Sequence, residues 1–404
     1  MSAARAVAVV TGTRADFGVL RSTLRALRDD RRVELKIIAA GMHLLPRFGR
    51  TLREVERDFG TVAARVPMQR GDDDPLDQAQ GLARGVAGMA RYLRQASVRW
   101  VVVLGDRIEA MAGALAAVTT GCRLAHIHGG DVARGDFDDQ LRDAITQLAD
   151  VHFVASRAAA RRVRAMGAPA NRVFLVGAPG LDAFRADPVR VPARPVAGAR
   201  GSDRPKWTLS ASDRHFRTAS ASNRPAVEAS RAPGVASHDA LIVYHAFGRS
   251  AAHEERVMRD ILRAAATLGL RRTVIFPNSD RGNAGVIRAI REHGRNSPRG
   301  EVRVHRSLPH DEYVAALRRA RVLVGNSSSG IIEAPFVGTP SVNVGDRQFG
   351  REPGGPSVIH AREAGSAIRR AIQRALRLPR RRHVQVYGDG GAGARIVRIL
   401  MAMV

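Results

Sequence analysis

The sequence predicts an α/β protein with two doubly wound sheets, on the strength of three observations. Short apolar runs ending at glycine or acidic residues alternate with amphipathic segments as far as residue 182. The same alternation restarts at Ala240. Between these two regions, residues 186–239 are rich in Pro, Ala, Arg and Ser and show no sustained apolar period. Sustained strand–helix alternation is typical of mostly parallel sheets, so we expect one sheet on each side of a linker.

The chain length sets the expected organisation. A chain of 404 residues suits two domains rather than one. We expect an N-terminal domain over 1–185, a linker with a poorly ordered, low-complexity insert over 186–239, a C-terminal domain over 240–390 and a final helix over 391–404.

Apolar runs predict the strands of both halves. In the N-terminal half these runs are 6–11, 33–40, 61–67, 98–104, 124–127, 151–155 and 172–176. In the C-terminal half they are 240–245, 272–276, 302–305, 321–324 and 340–344.

Helical spacing of apolar residues predicts the segments between the strands. Leu20, Leu24 and Leu27 share one helix face, and Leu141, Ile145 and Leu148 share another. The other predicted helices of the N-terminal half lie near 48–58, 76–95, 111–118 and 156–166. Those of the C-terminal half lie around 257–262 and over 285–293, 311–319, 331–336, 364–376 and 396–401.

The net charge of +27 comes almost entirely from arginine, because Lys36 and Lys206 are the only lysines. The arginines are scattered along the chain. A nucleic-acid-binding protein would instead show a basic stripe with interleaved aromatic residues or a recognisable module. We therefore expect no specific nucleic-acid partner, but a general attraction for anionic ligands such as nucleotide phosphates.

The remaining bulk features point to a cytoplasmic protein. Cys122 is the single cysteine, so neither a disulfide framework nor a cysteine metal cluster is expected. The apolar run near the N-terminus is too short for a signal sequence. No apolar run approaches the ~20 residues of a transmembrane helix, so no membrane partner is expected.

Acidic and histidine side chains follow the predicted strands of the N-terminal half. Asp106 follows one strand, His126 and His128 end the next, and Asp131 and Asp138 come shortly after. The carboxyl ends of strands line the ligand crevice of a parallel sheet. Three carboxylates held close together would raise at least one pKa, which suits acid–base chemistry.

Each of these residues also has a structural alternative. Asp106 and Asp138 could be helix N-caps, and Asp131 a turn residue. The three acids could also hold a divalent metal, although their spacing is irregular. Residues i and i+2 share a strand face, so we expect His126 and His128 to share one and His128 to face the crevice, unless the histidine is structural. His245 ends the first strand of the C-terminal half and is expected at the crevice too.

Two glycine-containing turns resemble phosphate-binding loops. Gly12–Asp16 follows the first strand, without the GxGxxG dinucleotide pattern. Gly325–Gly330 is serine-rich and opens a predicted helix that has Glu333 in its first turn. Such a loop offers N–H groups, hydroxyls and a helix dipole to a phosphate, and the absence of a Walker lysine favours a diphosphate already attached to a ligand. Either turn could instead be an ordinary capped turn.

Taken together, these segments resemble the hydrolysing UDP-N-acetylglucosamine 2-epimerases, which supply N-acetylmannosamine for sialic-acid-type sugars. The resemblance covers the chain except roughly 190–238. The matching segments are GTRADFG (12–18), GMHLLPRFG (41–49), GDRIEA (105–110), HIHGGD (126–131), DDQLRDAIT (138–146), VGAPGLD (176–182), GNSSSGIIEAP (325–335) and VNVGDRQFGR (342–351).

The resemblance implies two Rossmann-like domains in the GT-B arrangement, with a UDP-sugar in the cleft between them. It implies no metal, no cofactor and a homodimer. The catalytic residues it implies are Asp106, His128, Asp131, Asp138 and His245. The expected substrate-binding residues are Arg14, Arg107, Glu109, Arg142, Asn278, Asn326, Ser328, Ser329, Gly330, Glu333 and Arg351.

This chain departs from some members of that family at four places. Some members carry Glu at the position of His128 and at that of Asp131, so the division of acid and base roles stays open. Ala246-Phe247-Gly248 replaces the usual Pro-Val-Thr. The insert at roughly 190–238 is not a family feature.

The expected function is the conversion of UDP-N-acetylglucosamine to N-acetylmannosamine and UDP through 2-acetamidoglucal. The first alternative is the same reaction on a UDP-2,4-diacetamido-trideoxy sugar. A GT-B glycosyltransferase and a non-hydrolysing epimerase are further alternatives, and a nucleic-acid-binding protein would explain the charge but none of the motifs.

Overall fold

The computed structural model describes residues 5–49, 51–70, 74–133, 137–185, 239–380 and 386–403. Within these ranges two parallel sheets are found, which confirms the predicted α/β class. The expected insert falls on 186–238, outside the described residues. None of the described helices is both long enough and apolar enough to cross a membrane.

The N-terminal sheet has seven strands in the order β3-β2-β1-β4-β5-β6-β7. Its strands are β1 (Arg5–Thr11), β2 (Val33–Ala40), β3 (Ala64–Val66), β4 (Trp100–Leu104), β5 (Arg123–Ile127), β6 (Val151–Val154) and β7 (Val173–Leu175). Its helices are α1 (Arg14–Asp29), α2 (Leu52–Phe59), α3 (Pro75–Gln95), α4 (Ile108–Thr119), α5 (Asp138–Leu148), α6 (Arg157–Ala165) and α7 (Asp182–Arg185).

The C-terminal sheet has six strands in the order β10-β9-β8-β11-β12-β13. Its strands are β8 (Ala240–Val243), β9 (Arg272–Ile275), β10 (Val302–His305), β11 (Val322–Gly325), β12 (Ser341–Val344) and β13 (Val358–Ala361). The helices of this part of the chain are α8 (Ala251–Thr267), α9 (Asn283–Asn296), α10 (His310–Arg319), α11 (Glu333–Val337), α12 (Gly365–Leu376) and α13 (Ala392–Ala402). In both sheets the order reverses beside the first strand, which is the doubly wound pattern of two Rossmann-like domains.

The central strands are apolar on both faces because helices cover both sides of each sheet. In β1, Val7 and Val9 belong to one core cluster, while Ala8 and Val10 belong to the cluster on the opposite face. The predicted leucine face of α1 joins the first of these clusters. This explains why β1 shows no alternation of polar and apolar residues. It also explains why α1 has one clearly apolar face.

The final helix, α13, completes the N-terminal core although it lies at the other end of the sequence. Ile396, Val397, Leu400 and Met401 pack into the cluster that contains the leucines of α1. Asp182 accepts hydrogen bonds from the N–H groups of Ala392 and Gly393, at 2.9 and 2.7 Å, and thereby caps the start of α13.

The structure departs from three local expectations. The first strand of the C-terminal half, expected to end at His245, ends at Val243. The edge strand β13 was not expected, because Ser357–Ala361 has no uninterrupted apolar run. The helix predicted over 331–336 begins later, at Glu333, because a short 3₁₀ turn over Ser328–Gly330 precedes it. Ser327 caps this turn by accepting a hydrogen bond from the Ser329 N–H.

Two arginines of α1, Arg14 and Arg21, join the two domains. The guanidinium of Arg21 lies 2.7 Å from Asp58 in the N-terminal domain and 2.7 Å from Asp311 in the C-terminal domain. Arg14 pairs with Glu54 at 3.0 Å, and Glu54 also accepts the backbone N–H of His310. These bonds hold the carboxyl ends of the two sheets against each other.

Candidate active site

The first strand-to-helix turn carries Arg14 to the C-terminal domain. Thr13 caps α1 by accepting the Asp16 N–H, and Asp16 in return accepts the Thr13 N–H. Arg14 follows at the first helical position and donates to the Ser307 hydroxyl and the Leu308 carbonyl. The turn is therefore a capped turn, with Thr13 as the N-cap and Asp16 as its capping-box partner, and Arg14 lines the neighbouring cavity.

The serine-rich loop after β11 forms the second strand-to-helix turn. Gly325 has φ 146° and a Cβ there would meet the Val243 carbonyl oxygen at 1.9 Å, so only glycine fits. Ser329 is buried and hydrogen-bonded to the Tyr313 hydroxyl. Ser328, Ser329 and Glu333 line what we call the serine cavity, together with Arg14, His245 and Asn278.

Asn326 positions His245 rather than lining this cavity. Its side chain accepts the His245 N–H at 2.8 Å and donates to the His245 carbonyl at 2.8 Å. The Nδ1 atom of His245 accepts the Asn278 N–H at 3.1 Å, so the ring carries its proton on Nε2. Burial, with Arg347 and Arg107 nearby, lowers the pKa of His245 to about 3. His245 is thus a neutral hydrogen-bond donor near neutral pH.

Glu254 is a buried support of the same loop that sequence reasoning missed. It accepts the Tyr244 hydroxyl at 2.8 Å and the Phe247 N–H at 3.2 Å, on either side of His245. Burial raises the pKa of its carboxyl group. Val257 and Ile261 lie three and seven residues after Glu254, so all three share one face of α8. This spacing is the sequence signal that could have shown that Glu254 is buried.

Asp106 and Arg142 form an ion pair at the end of β4. Arg142 is 2% exposed and projects from α5. Neither Asp106 nor Asp138 caps a helix, because the N-cap residues of α4 and α5 are Arg107 and Phe137. The capping alternative is therefore wrong for both acids.

His128 lies beyond the end of β5, so the prediction that it shares a strand face with His126 is wrong. Its φ of 65° turns the chain out of the strand. His126 is fully buried, with Nε2 bonded to the Gly105 carbonyl at 2.8 Å. His128 faces the cleft, as expected, and its Nδ1 lies 2.9 Å from Asp131.

Asp131 is held as a carboxylate by a residue of the other domain. Arg351 Nη1 lies 3.0 Å from Asp131 Oδ2. Burial raises the pKa of Asp131, but Arg351 and His128 outweigh it and bring the pKa below its ordinary value. Asp106, His128, Asp131, Arg142 and Arg351 line what we call the His128 cavity.

Asp138 lies in a neighbouring cavity, so the single cluster of three acids is not formed. It lines that cavity with Arg107 and Asp280, which pair at 2.9 Å. Burial and the nearby Asp280 raise the pKa of Asp138 to about 6. The raised pKa was expected, but its partner is Asp280, which follows β9, rather than Asp106.

Glu109 and Gly330 lie behind the cleft. Glu109 is 1% exposed, accepts a hydrogen bond from Gln69 at 3.2 Å and packs beneath Gly12 and Gly41. The Gly330 carbonyl accepts the Ser341 hydroxyl. Both support the phosphate-type turns, so we place them, like Asn326, in the walls of the site rather than in contact with a ligand.

The serine cavity and the His128 cavity meet. Gly180, Ser328 and Glu333 line both of them. Glu333 Oε2 is buried and has no hydrogen-bond partner among the described residues, which marks it as an acceptor held ready for a ligand donor. Within the described ranges, no three acidic, histidine or cysteine side chains are grouped as metal ligands would be.

Comparison with known proteins gives a consistent result. A Legionella pneumophila UDP-N,N'-diacetylbacillosamine 2-epimerase (hydrolyzing) is 29% identical over 98% of this chain and 95% of the relative. A Neisseria meningitidis UDP-N-acetylglucosamine 2-epimerase is 26% identical over 91% and 87%. The solved Neisseria meningitidis UDP-GlcNAc 2-epimerase bound to UDP-GlcNAc superposes with a TM-score of 0.73 over 98% of this chain and 100% of that one, at 14% identity.

The profile of one sequence family, described as UDP-N-acetylglucosamine 2-epimerase, matches residues 25–401. This range includes both sheets apart from the first strand and most of α1, together with the acidic, histidine and serine segments of the site. The chain belongs to the UDP-N-acetylglucosamine 2-epimerase family.

Proposed function

We propose that the chain is a hydrolysing 2-epimerase that converts UDP-N-acetylglucosamine to N-acetylmannosamine and UDP through 2-acetamidoglucal. The observation that carries this proposal is the junction of the two cavities at Ser328 and Glu333. At this junction the serine cavity, whose hydrogen-bond donors suit a diphosphate, opens into the His128 cavity, which is lined by acidic side chains and a histidine. A UDP-sugar spanning the junction would place its glycosidic carbon between them.

The reaction needs three kinds of group, and the joined cavities supply each. A base removes the proton from sugar C2, and the electron pair forms the C1–C2 double bond as the C1–O bond to UDP breaks. Water then adds at C1 while a proton returns to C2 from the opposite face. His128 and Asp106 line the cavity where these proton transfers would occur.

The departing UDP takes up negative charge, which donors at the serine loop would stabilise. Ser328 and Ser329 lie in the turn that opens α11, and Arg14 enters the same cavity from the other domain. The neutral His245 would donate Nε2–H to a phosphate oxygen. Such donors accelerate the reaction when they are aimed at the place where charge develops.

A second candidate substrate is UDP-N,N'-diacetylbacillosamine. It is favoured by the similarity to the Legionella protein and to a Campylobacter jejuni GDP/UDP-N,N'-diacetylbacillosamine 2-epimerase (hydrolyzing), which is 25% identical over 86% of this chain and 82% of the relative. We further propose a homodimer, which the molar mass from light scattering would test.

The test is an assay with both UDP-sugars in deuterated water. We expect release of UDP and of the free 2-epimer carrying deuterium at C2. Release of a UDP-linked epimer would favour a non-hydrolysing enzyme, and turnover of the diacetamido sugar alone would assign the second substrate. If neither compound releases UDP, the proposed function is wrong.

The site assignment has its own control. Asp106→Asn should lower kcat by at least about 100-fold, the usual contribution of a positioned acid or base. Asp143→Asn, on the outer side of α5 with 37% of its side chain exposed, should keep the wild-type rate. Equal rates for the two variants would contradict the role given to Asp106.

A further inference from the structure

We propose that Arg351 and Asp131 are positioning residues that prepare His128 as the base for sugar C2. This inference rests on the proposed function and assigns Arg351 a task other than the substrate contact predicted from the sequence. Because Arg351 belongs to the C-terminal domain and His128 to the N-terminal domain, the base is complete only when both domains contribute to it.

The three side chains form one chain of charged hydrogen bonds. Arg351 Nη1 lies 3.0 Å from Asp131 Oδ2, and the same oxygen lies 2.9 Å from His128 Nδ1. The side chains of Arg351 and Asp131 are 7% and 3% exposed, whereas His128 is 13% exposed and borders the cavity. All three side chains line the His128 cavity, and His128 is the most exposed of them.

The direction of these bonds fixes the histidine tautomer. Arg351 keeps Asp131 ionised, and a carboxylate only accepts hydrogen bonds. His128 must therefore donate Nδ1–H, which leaves the lone pair on Nε2 for the cavity. In the reaction, the C2 proton would move to Nε2 and give an imidazolium whose charge Asp131 stabilises, while the C2–H electron pair forms the double bond and expels UDP.

The backbone at His128 supports a functional placement. Its φ of 65° lies in the left-handed region, which residues other than glycine seldom adopt. The following turn depends on Gly130, whose φ is 72° and where a Cβ would lie 2.5 Å from the Ala159 carbonyl oxygen. This conformation carries the ring off β5 and towards Asp131.

Other charged groups surround the ring and enter any pH dependence. His126 lies behind His128 on β5 and is kept neutral, because burial lowers its pKa to about 3. The other charged or titratable side chains that line the cavity are Asp106, Arg142, Glu333 and Arg347. None of these is removed in the variants below, so their contribution is common to all of them.

The test compares Asp131→Asn, Arg351→Gln and Arg351→Lys with the wild type, using kcat, KM and the ¹⁵N spectrum of the histidine rings. We expect Asp131→Asn to lower kcat by about 100-fold or more, the range of general base catalysis, with KM within a factor of about three. Arg351→Gln should also lower kcat, and Arg351→Lys should recover part of the loss.

Two readouts separate positioning from a merely structural role. The acidic limb of the kcat/KM profile should move to lower pH in Asp131→Asn, which loses an anion, and to higher pH in Arg351→Gln, which loses a cation. The His128 signals, assigned with His128→Gln, should show the Nδ1–H tautomer in the wild type and a mixture in Asp131→Asn.

A matched control is Arg21→Gln, which removes another buried arginine bridging the two domains. It should leave the pH profile and the His128 tautomer unchanged. A rise in KM without loss of kcat in Arg351→Gln would overturn the inference and favour substrate binding. If Asp131→Asn and Arg351→Gln are active and the acidic limbs of their kcat/KM profiles match that of the wild type, the inference is overturned as well. An inactive wild type would contradict the proposed function instead.

Discussion

The raised pKa of Asp138 predicts that the variant Asp138→Asn is more stable than the wild type at neutral pH. Burial and Asp280 raise the pKa of Asp138 from 3.8 to about 6. A raised carboxyl pKa means that the folded protein binds the proton more tightly than the unfolded chain. The wild type therefore loses stability at this residue as the pH rises from 3.8 through about 6, and the loss is complete above that range.

The interval between the two pKa values corresponds to at most about 3 kcal/mol. Because Asp138 is only partly buried, solvent screening reduces this, and we expect about 1 to 2 kcal/mol. Asp138→Asn cannot ionise, so it should gain this amount over the wild type between pH 4 and pH 8. The same variant should lose activity over this pH range, because residues of a functional site often reduce stability in return for activity.

The assay is urea unfolding of both proteins at pH 4, 6 and 8, and the quantity of interest is the difference in unfolding free energy between them. Asp29→Asn, on the outer end of α1 with 66% of its side chain exposed, is the control and should show no such gain. A variant difference that stays constant from pH 4 to pH 8 would refute the electrostatic reasoning.

Three further predictions follow from the packing. Gly285→Ala would bring a Cβ to 1.8 Å from the Ala251 carbonyl oxygen and should cost about 1–3 kcal/mol in urea unfolding, whereas Gly294→Ala on the same helix has room and should be neutral or stabilising. Asn326→Leu leaves the backbone N–H and carbonyl of His245 unsatisfied, so it should lower the free energy of unfolding by about 2–4 kcal/mol and reduce activity. Wild-type stability together with full activity would show that these two hydrogen bonds do not position His245. Burial lowers the pKa of five histidines to between about 3 and about 4, so thermal unfolding of the wild type should occur at lower temperature as the pH falls below 6.5, and a flat profile would contradict their burial. These histidines are His43, His126, His152, His245 and His310.

The sequence was sufficient for the order of the elements because buried parallel strands and amphipathic helices each leave a local pattern. β1 and α1 show this directly, as an apolar run followed by leucines at helical spacing. β13 escaped because an edge strand with one exposed face needs no continuous apolar run. The start of α11 escaped because the hydroxyl of Ser327, which caps a 3₁₀ turn, cannot be told from other serines in the sequence.

Within the site, the motifs identified the right loops but not the pairing between them. That Asp138 meets Asp280, and Asp131 meets Arg351, depends on how two domains face each other, which no local pattern encodes. His128 was assigned to a strand face because periodicity carries no sign of a positive φ. The burial of Glu254 escaped as well, although Glu254 shares the buried face of α8 with Val257 and Ile261.

The packing of α13 has a consequence for the order of events during synthesis. Its apolar side chains share a core with those of α1, so the first sheet emerges from the ribosome with one helix missing from its surface. That surface stays uncovered while the whole second sheet is translated. The first-made core is therefore complete only after the last helix of the chain has been translated.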